Sequence, residues 1–360
     1  MRVGLQKSHM LISFTPARLA SEMPREHDYH PLTVADVIDE TADTRSFVLE
    51  ISPALEERFA YAAGQFCTFR APIGGEAIVR CYSMSSSPDT GDPFTVTVKR
   101  VPGGKMSNWM NDRLSPGDTI DVMPPAGLFV LRPAATPIVA LAGGSGITPV
   151  LSIIKTALVS TARDIALVYA NRGPGSVIFA DVLERLCAGS GGRLSVHHHL
   201  DSEKGFLDAA ACAALVGDRT QADLYVCGPG PYMEVVEASL DRRGVDPRRL
   251  FIERFELPDV PRAASARSET ESIVIRLEGR KRRIAYEPGD TILEAASRAG
   301  LKPPFSCQAG NCGTCMAFLD AGKATMRVNN ALHADEVAKG WVLTCQSIPT
   351  SREVVVDYDR

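Results

Sequence analysis

The chain has 360 residues, of which 45% are hydrophobic and 23% are charged, and its formal net charge at pH 7 is −4. This composition is typical of a globular protein with two or three domains, and the charge gives no indication of nucleic-acid binding. No apolar run approaches the roughly 18 residues that cross a bilayer, and the first residues lack the apolar segment of a secretory signal. We therefore expect a cytoplasmic monomer that binds neither nucleic acid nor membrane.

Along the chain, the pattern of apolar residues changes several times. Residues 1–30 have no clear periodicity and are predicted to be an N-terminal extension. Residues 31–132 contain six short alternating runs separated by turn signals, which predict an antiparallel β-barrel. Residues 133–257 alternate strand and helix patterns, which predict an α/β domain with a parallel sheet.

The remaining sequence predicts a linker and a third domain. Residues 258–271 are rich in Pro, Ala, Ser and charge, as in a semi-flexible linker. Residues 272–360 contain a hairpin, a helix with the capping-box pair Thr291 and Glu294, and further strands. They predict a small α+β domain. The basic run 280–283 is expected to form a solvated hairpin turn, with a docking patch as the alternative.

The first motif with chemical content lies in the predicted barrel, in RCYSMSS (80–86). A flavin dinucleotide needs a cation for its pyrophosphate, an aromatic ring beside the isoalloxazine and a hydrogen bond near N5; Arg80, Tyr82 and Ser83 offer these. The glycine turn and short helix of PGGKMSNWM (102–110) offer backbone amides to phosphate.

These segments resemble the flavin-binding motifs of the ferredoxin–NADP reductase superfamily. The alternative is an ordinary half-exposed strand followed by a capped helix. The resemblance implies bound FAD, with Ser83 as a catalytic residue near flavin N5. The FAD-binding residues that it implies are Arg80, Cys81, Tyr82, Ser83, Val98, Lys99, Gly104, Met106, Ser107 and Thr148.

A nucleotide loop follows the first strand of the α/β domain, in GGSGITP (143–149). Thr148 is predicted to cap the next helix and Pro149 to be its first residue. The loop lacks the G-x-G-x-x-G pattern, and no acidic residue ends the second strand. Within the superfamily, this loop and CGPGP (227–231) resemble the nicotinamide-dinucleotide motifs, and the cysteine is implied to be a catalytic residue beside the nicotinamide. The implied NAD-binding residues are Gly143, Gly144, Asn171, Arg172, Cys227, Gly228, Pro229 and Met233.

Four of the nine cysteines have the spacing C-x4-C-x2-C followed, after 29 intervening residues, by one more. Plant-type [2Fe–2S] clusters are held by four thiolates at this spacing. Zinc is the alternative, but it favours paired Cys knuckles and one such pair occurs here. The segment FSCQAGNCGTC (305–315) resembles the cluster loop of plant-type ferredoxins, whose fold is a β-grasp. The predicted ligands are Cys307, Cys312, Cys315 and Cys345.

The order of these domains resembles that of the reductase components that supply electrons to multicomponent oxygenases. The resemblance implies transfer from NADH through FAD and the cluster to a terminal oxygenase. Reductases of the ketosteroid 9α-hydroxylase type are the most similar, and those of the phenylacetyl-CoA epoxidase type are the alternative. Another class, a flavin and iron–sulfur redox sensor, would not need a nicotinamide site. NADPH stays possible, since Arg172 offers a cation to a 2′-phosphate.

Overall fold

The structure is a computed structural model that describes residues 29–255, 269–305, 308, 310, 313–329, 331–332 and 334–360. Nearly all of the predicted N-terminal extension and most of the predicted linker lie outside these residues. The predicted domain limits stay predictions. In the described part of the chain, no helix has both the length and the apolar character needed to span a membrane.

The first sheet confirms the predicted antiparallel barrel. Its six strands have the order β4-β3-β6-β1-β2-β5, and an antiparallel bridge between Met84 and Val96 joins the two edges. Residues that alternate along the strands, such as Phe47 and Phe69, are fully buried in its core. The elements are β1 (His30–Thr41), β2 (Thr44–Glu50), β3 (Phe66–Ile73), β4 (Glu76–Ser83), β5 (Thr95–Lys99), α1 (Lys105–Arg113) and β6 (Thr119–Val122).

The second sheet confirms the predicted parallel α/β architecture, with the strand order β11-β10-β7-β8-β9. Ligands of such sheets bind at the carboxyl ends of the strands, where the order reverses; here that is the edge where β7 and β10 end. The elements are β7 (Ile138–Gly143), α2 (Ile147–Ser160), β8 (Ile165–Asn171), α3 (Ala180–Gly189), β9 (Leu194–Leu200), α4 (Asp201–Lys204), α5 (Ala209–Val216), β10 (Asp223–Cys227), α6 (Gly230–Arg242) and β11 (Leu250–Glu253).

The predicted start of helix α2 is wrong. The helix begins at Ile147, and Gly146 occupies the N-cap position. Residues 144–146 form a 3-10 turn that runs directly into the helix, so Thr148 already lies within it. The Thr148 hydroxyl donates to the Ser145 carbonyl at 3.1 Å instead of capping a helix amide.

The third sheet has the strand order β13-β12-β18-β14-β16, and β15 pairs with β17 beside it. The predicted capping box at the start of its helix is confirmed. The basic run 280–283 lies on an edge strand, while residues 278 and 279 make the turn with positive φ; the predicted basic turn is therefore wrong. The elements are β12 (Ser272–Leu277), β13 (Arg280–Ala285), α7 (Ile292–Arg298), β14 (Met316–Ala321), β15 (Ala324–Met326), α8 (Ala334–Lys339), β16 (Trp341–Leu343), β17 (Ser347–Pro349) and β18 (Glu353–Asp357).

Helix α2 also joins the barrel to the parallel sheet. The Ser152 hydroxyl donates to the carbonyl of Ser86 at 2.6 Å, and Lys155 pairs with Asp92 of the barrel at 2.8 Å. These contacts place the nucleotide loop at the amino end of α2 beside strands β4 and β5.

Candidate functional site

A cavity of about 320 Å³ lies between strands β4 and β5, the amino end of α1 and the loop before α2. Its volume falls in the range of small-molecule and cofactor sites. Val98, which was assigned to FAD with the others, does not line it, because its side chain is fully buried in the barrel core. The other residues assigned to FAD line it: Arg80, Cys81, Tyr82, Ser83, Lys99, Gly104, Met106, Ser107 and Thr148.

The polar groups of this cavity fit a flavin dinucleotide. The guanidinium of Arg80 is exposed at its edge and, among the described residues, donates only to the carbonyl of Val79, at 2.7 Å. The Tyr82 ring packs edge-on against Phe69 with a centroid distance of 5.6 Å, and burial raises the pKa of its hydroxyl. Helix α1 has no side-chain cap, so its first amides are available to a phosphate.

A larger cavity of about 640 Å³ lies next to the first, at the carboxyl edge of the parallel sheet. Lys99, Ser145 and Pro229 line both cavities. The residues assigned to NAD divide into three groups. Gly143, Gly144, Asn171, Arg172 and Pro229 line the larger cavity, Gly228 lines the smaller one, and Cys227 and Met233 are buried in the cores on either side of the sheet.

The two predicted nucleotide loops pack against each other through glycines. A Cβ atom on Gly146 would lie 2.1 Å from the carbonyl oxygen of Cys227, and one on Gly228 would lie 2.6 Å from the ring of Tyr232. Gly144 has a φ of +50°, which side chains rarely adopt. Glycine at position 146 is therefore required for the close contact between the loops, and glycine at position 144 suits the left-handed backbone there.

Asn171 and Arg172 follow strand β8 and have different surroundings. Asn171 is 4% exposed, and neither polar atom of its amide has a hydrogen-bond partner among the described residues. An amide of this kind next to a cavity is a candidate to bind a ligand. The guanidinium of Arg172 instead binds Asp43 of the barrel at 2.7 Å, and the same carboxylate lies 3.2 Å from Lys99.

Among the unpredicted residues that line the larger cavity, two have distinctive chemistry. Asp201 follows the third strand, β9, whereas an acidic residue had been sought only after the second. Phe206 lies five residues later and is 86% exposed at the mouth of the cavity. Its exposure is a property of the folded chain, and the sequence contains no signal that singles it out.

Glu253 was also missed. Strand β11 pairs it with Cys227 at the carboxyl end of β10. Burial raises the pKa of Glu253 to about 8, and burial likewise raises the pKa of the Cys227 thiol. Burial therefore disfavours the charged form of both groups at the carboxyl end of β10.

The structure describes two of the four predicted cluster ligands. Cys307 and Cys312 lie outside the described residues. Cys315 and Cys345 are buried in one apolar cluster with Leu293. The amide and the hydroxyl of Thr344 donate to the Cys315 carbonyl at 3.1 and 2.8 Å, which fixes the two cysteines relative to each other.

The loop between the cysteines needs glycine. Gly310 has a φ of +73° and Gly313 a φ of +70°. A Cβ atom on Gly310 would lie 2.8 Å from the carbonyl oxygen of Val328. Left-handed backbone at these two glycines, beside two buried thiols, fits a [2Fe–2S] cluster, whose ligands are cysteine thiolates.

Three family models match the chain in the same order as the three sheets. Residues 31–131 match an oxidoreductase FAD-binding domain, residues 140–238 match an oxidoreductase NAD-binding domain, and residues 275–350 match a 2Fe-2S iron-sulfur cluster binding domain.

Relatives with known roles cover nearly the whole chain. The ferredoxin reductase component of 3-ketosteroid-9-alpha-monooxygenase from Mycobacterium tuberculosis is 39% identical over 341 residues, 91% of this chain and 95% of that protein. A component of 1,2-phenylacetyl-CoA epoxidase from Escherichia coli is 35% identical, over 92% of this chain and 98% of that protein. The solved structure of phthalate dioxygenase reductase matches with a TM-score of 0.58 and 26% identity, covering 91% and 98% of the two chains. The chain therefore belongs to the family of oxygenase reductase components, NADH-dependent oxidoreductases that carry FAD and a [2Fe–2S] cluster and pass electrons to a terminal oxygenase.

Proposed function

We propose that this reductase serves a ketosteroid 9α-hydroxylase-type monooxygenase. The supporting observation is the 39% identity, over 91% of the chain, with the reductase component of 3-ketosteroid-9-alpha-monooxygenase. A phenylacetyl-CoA epoxidase-type oxygenase is the second candidate, supported by 35% identity over 92% of the chain.

The residues that line the two cavities are proposed to hold the cofactors. Arg80 and the amino end of α1 bind the FAD pyrophosphate, Tyr82 packs beside the isoalloxazine, and Ser83 donates a hydrogen bond near N5. Support comes from the convergence of these groups on one cavity. When bound, FAD accepts the hydride of NADH and releases single electrons to the cluster.

We propose that the nicotinamide dinucleotide occupies the larger cavity. The orphaned amide of Asn171 is a hydrogen-bonding group for it, and the glycine loops allow close approach of the backbone. Cys227 is proposed to lie beside the nicotinamide, with its thiol buried at the end of β10. Cys307, Cys312, Cys315 and Cys345 are proposed to ligate the cluster.

NADH is proposed as the donor in preference to NADPH. The Asp201 carboxylate lines the larger cavity, where it would repel a 2′-phosphate. Arg172, the cation that could have attracted this phosphate, is already bound to Asp43. Comparing kcat/KM for the two nucleotides tests this preference.

The partner is identified by reconstitution. The purified reductase is combined separately with the oxygenase components of a ketosteroid 9α-hydroxylase and of a phenylacetyl-CoA epoxidase, and hydroxylated or epoxidised product is measured per NADH oxidised. Coupled product formation with the ketosteroid oxygenase alone supports the proposal. Product with the epoxidase alone contradicts it in favour of the second candidate.

The redox-sensor alternative is tested without any oxygenase, because a sensor would not sustain NADH oxidation with an artificial one-electron acceptor. From composition alone, we further propose a cytoplasmic monomer. Light scattering after size-exclusion chromatography and fractionation of the source cells test these two statements.

A further inference from the structure

Three hydroxyl groups form a hydrogen-bonded chain inside the barrel, and the chain ends at a carboxylate. The oxygens of Ser85 and Thr97 are 2.7 Å apart, and those of Thr97 and Ser46 are also 2.7 Å apart. The Ser46 hydroxyl then donates to Glu40 at 2.6 Å. The three hydroxyl residues are at most 4% exposed, while Glu40 lies partly at the surface. Thr97 lines the flavin cavity, so the chain connects the cavity wall to a surface carboxylate.

The direction of these hydrogen bonds follows from the number of protons available. Each hydroxyl has one proton to donate. The proton of Ser46 is directed to the Glu40 carboxylate, so the bond between Thr97 and Ser46 requires Thr97 to be the donor. Thr97 then has no proton left for Ser85, so Ser85 donates to Thr97 at 2.7 Å in preference to its longer contact with the Thr95 carbonyl at 3.4 Å. The protons of Thr97 and Ser46 therefore point away from the cavity wall and toward Glu40.

The reaction of the reductase requires a proton to leave the cavity. NADH delivers a hydride, which is two electrons and one proton, whereas the cluster accepts electrons only. The balanced reaction is one NADH and two oxidised clusters giving NAD⁺, one proton and two reduced clusters. One proton per NADH must therefore leave the cavity, which lies between the barrel and the loop before helix α2.

Glu40 is suited to receive this proton. Burial raises its pKa, while the bond from Ser46 and the charge of Lys155 act in the opposite direction, and an acid–base group works best when its pKa approaches the working pH. Lys155 faces Glu40 from helix α2, and its ammonium is paired with Asp92 at 2.8 Å.

We propose that Thr97, Ser46 and Glu40 form the path by which this proton leaves the flavin cavity, with Ser85 polarising Thr97 toward Ser46. The inference rests on FAD binding in the cavity lined by Thr97. It assigns acid–base work to a part of the barrel that contacts neither the nicotinamide cavity nor the described cluster cysteines.

The test uses the holoenzyme with the substitutions Glu40→Gln and Ser46→Ala. Glu40→Gln preserves the size of the side chain but cannot accept the proton, and Ser46→Ala interrupts the chain. Glu50→Gln, an exposed carboxylate on the same sheet, is the matched control. Anaerobic stopped-flow spectroscopy follows flavin reduction by NADH and the later electron delivery to cytochrome c, in H2O and D2O.

The expected result is unchanged flavin reduction in both variants, with electron delivery slowed about tenfold. The solvent isotope effect on electron delivery should increase. Added formate should restore the rate of electron delivery, because a small acid can replace a lost carboxyl but cannot repair a packing defect. Glu50→Gln should behave as the native protein. Native rates and isotope effects in Glu40→Gln would overturn the proposal, and so would slow transfer without an isotope effect or rescue.

A second readout does not depend on turnover. Infrared difference spectra between the oxidised and reduced holoenzyme should contain a deuterium-sensitive carboxyl band that disappears in Glu40→Gln and persists in Glu50→Gln. Persistence of every such band in Glu40→Gln would contradict the assignment. If NADH fails to reduce the native flavin at all, the FAD and nicotinamide sites are wrong, and that failure is distinct from a failure of the proton path.

Discussion

The contact between the two nucleotide loops makes a sharp prediction for Gly146→Ala. A methyl group at this position would lie 2.1 Å from the Cys227 carbonyl oxygen, 2.4 Å from its carbon and 2.7 Å from the amide nitrogen of Gly228. All three atoms belong to the backbone, so no side-chain rotation can relieve the overlap. The loops must therefore separate by more than about 1 Å to reach an ordinary contact distance.

That displacement occurs where the nicotinamide is proposed to meet the flavin. Overpacking of this kind costs about 1–3 kcal/mol of stability, and a misplacement of about 1 Å in a reacting group lowers rates about 100-fold. We therefore expect Gly146→Ala to lower the rate of flavin reduction by NADH about 100-fold. Cluster content should stay native, because the third sheet is not touched.

The assay is anaerobic stopped-flow reduction of the flavin at saturating NADH, together with thermal unfolding. Gly230→Ala is the matched control, since Gly230 begins helix α6 after the second nucleotide loop, lacks a positive φ and has no atom within 4 Å of the added methyl group. If Gly146→Ala reduces its flavin within threefold of the native rate and unfolds at the native temperature, the argument from loop contact is refuted.

Three further predictions concern the other sites. Cys345→Ser should remove the cluster absorption and electron delivery to cytochrome c but leave flavin reduction by NADH intact, unlike Cys187→Ser; native cytochrome c reduction would show that the electron path is wrong. Asp201→Asn should raise the ratio of kcat/KM for NADPH over NADH about tenfold, corresponding to about 1.4 kcal/mol, and an unchanged ratio would exclude the carboxylate as a determinant. The raised pKa of Glu253 means that the folded state binds its proton more tightly, so stability falls as pH rises from about 4.5 to about 8. Glu253→Gln should flatten this fall by up to a few kcal/mol in urea titrations at several pH values, and a slope identical to the native one would contradict a buried carboxyl.

The flavin motif could be found from the sequence because its residues are neighbours on one strand. Arg80, Tyr82 and Ser83 belong to strand β4, and their order along the chain already places them together. The glycine turn before α1 is equally local. Local sequence patterns were therefore sufficient to predict most of the residues that line the smaller cavity.

The remaining site residues depend on tertiary assembly. Asp201 and Phe206 reach the larger cavity only because β9 lies beside β8 in the sheet. Likewise, the alternating pattern within each strand could indicate to which face of a sheet Ser46 and Thr97 point. It could not indicate that β2 and β5 pair with each other and place these two residues opposite one another. The start of α2 was misplaced because Thr-Pro favours a helix start locally, whereas a preceding 3-10 turn extends the helix.

The topology of the third sheet has a consequence for biogenesis. Its middle strand, β18, follows every predicted cluster ligand in the chain and pairs in parallel with β12, residue 272 against residue 353. On the ribosome, the thiols at positions 315 and 345 are synthesised before the strand that completes their scaffold. Domains tend to fold as units in the order of synthesis, so the flavoprotein half can mature first, and iron–sulfur insertion has to wait until residues 353–357 have left the exit tunnel.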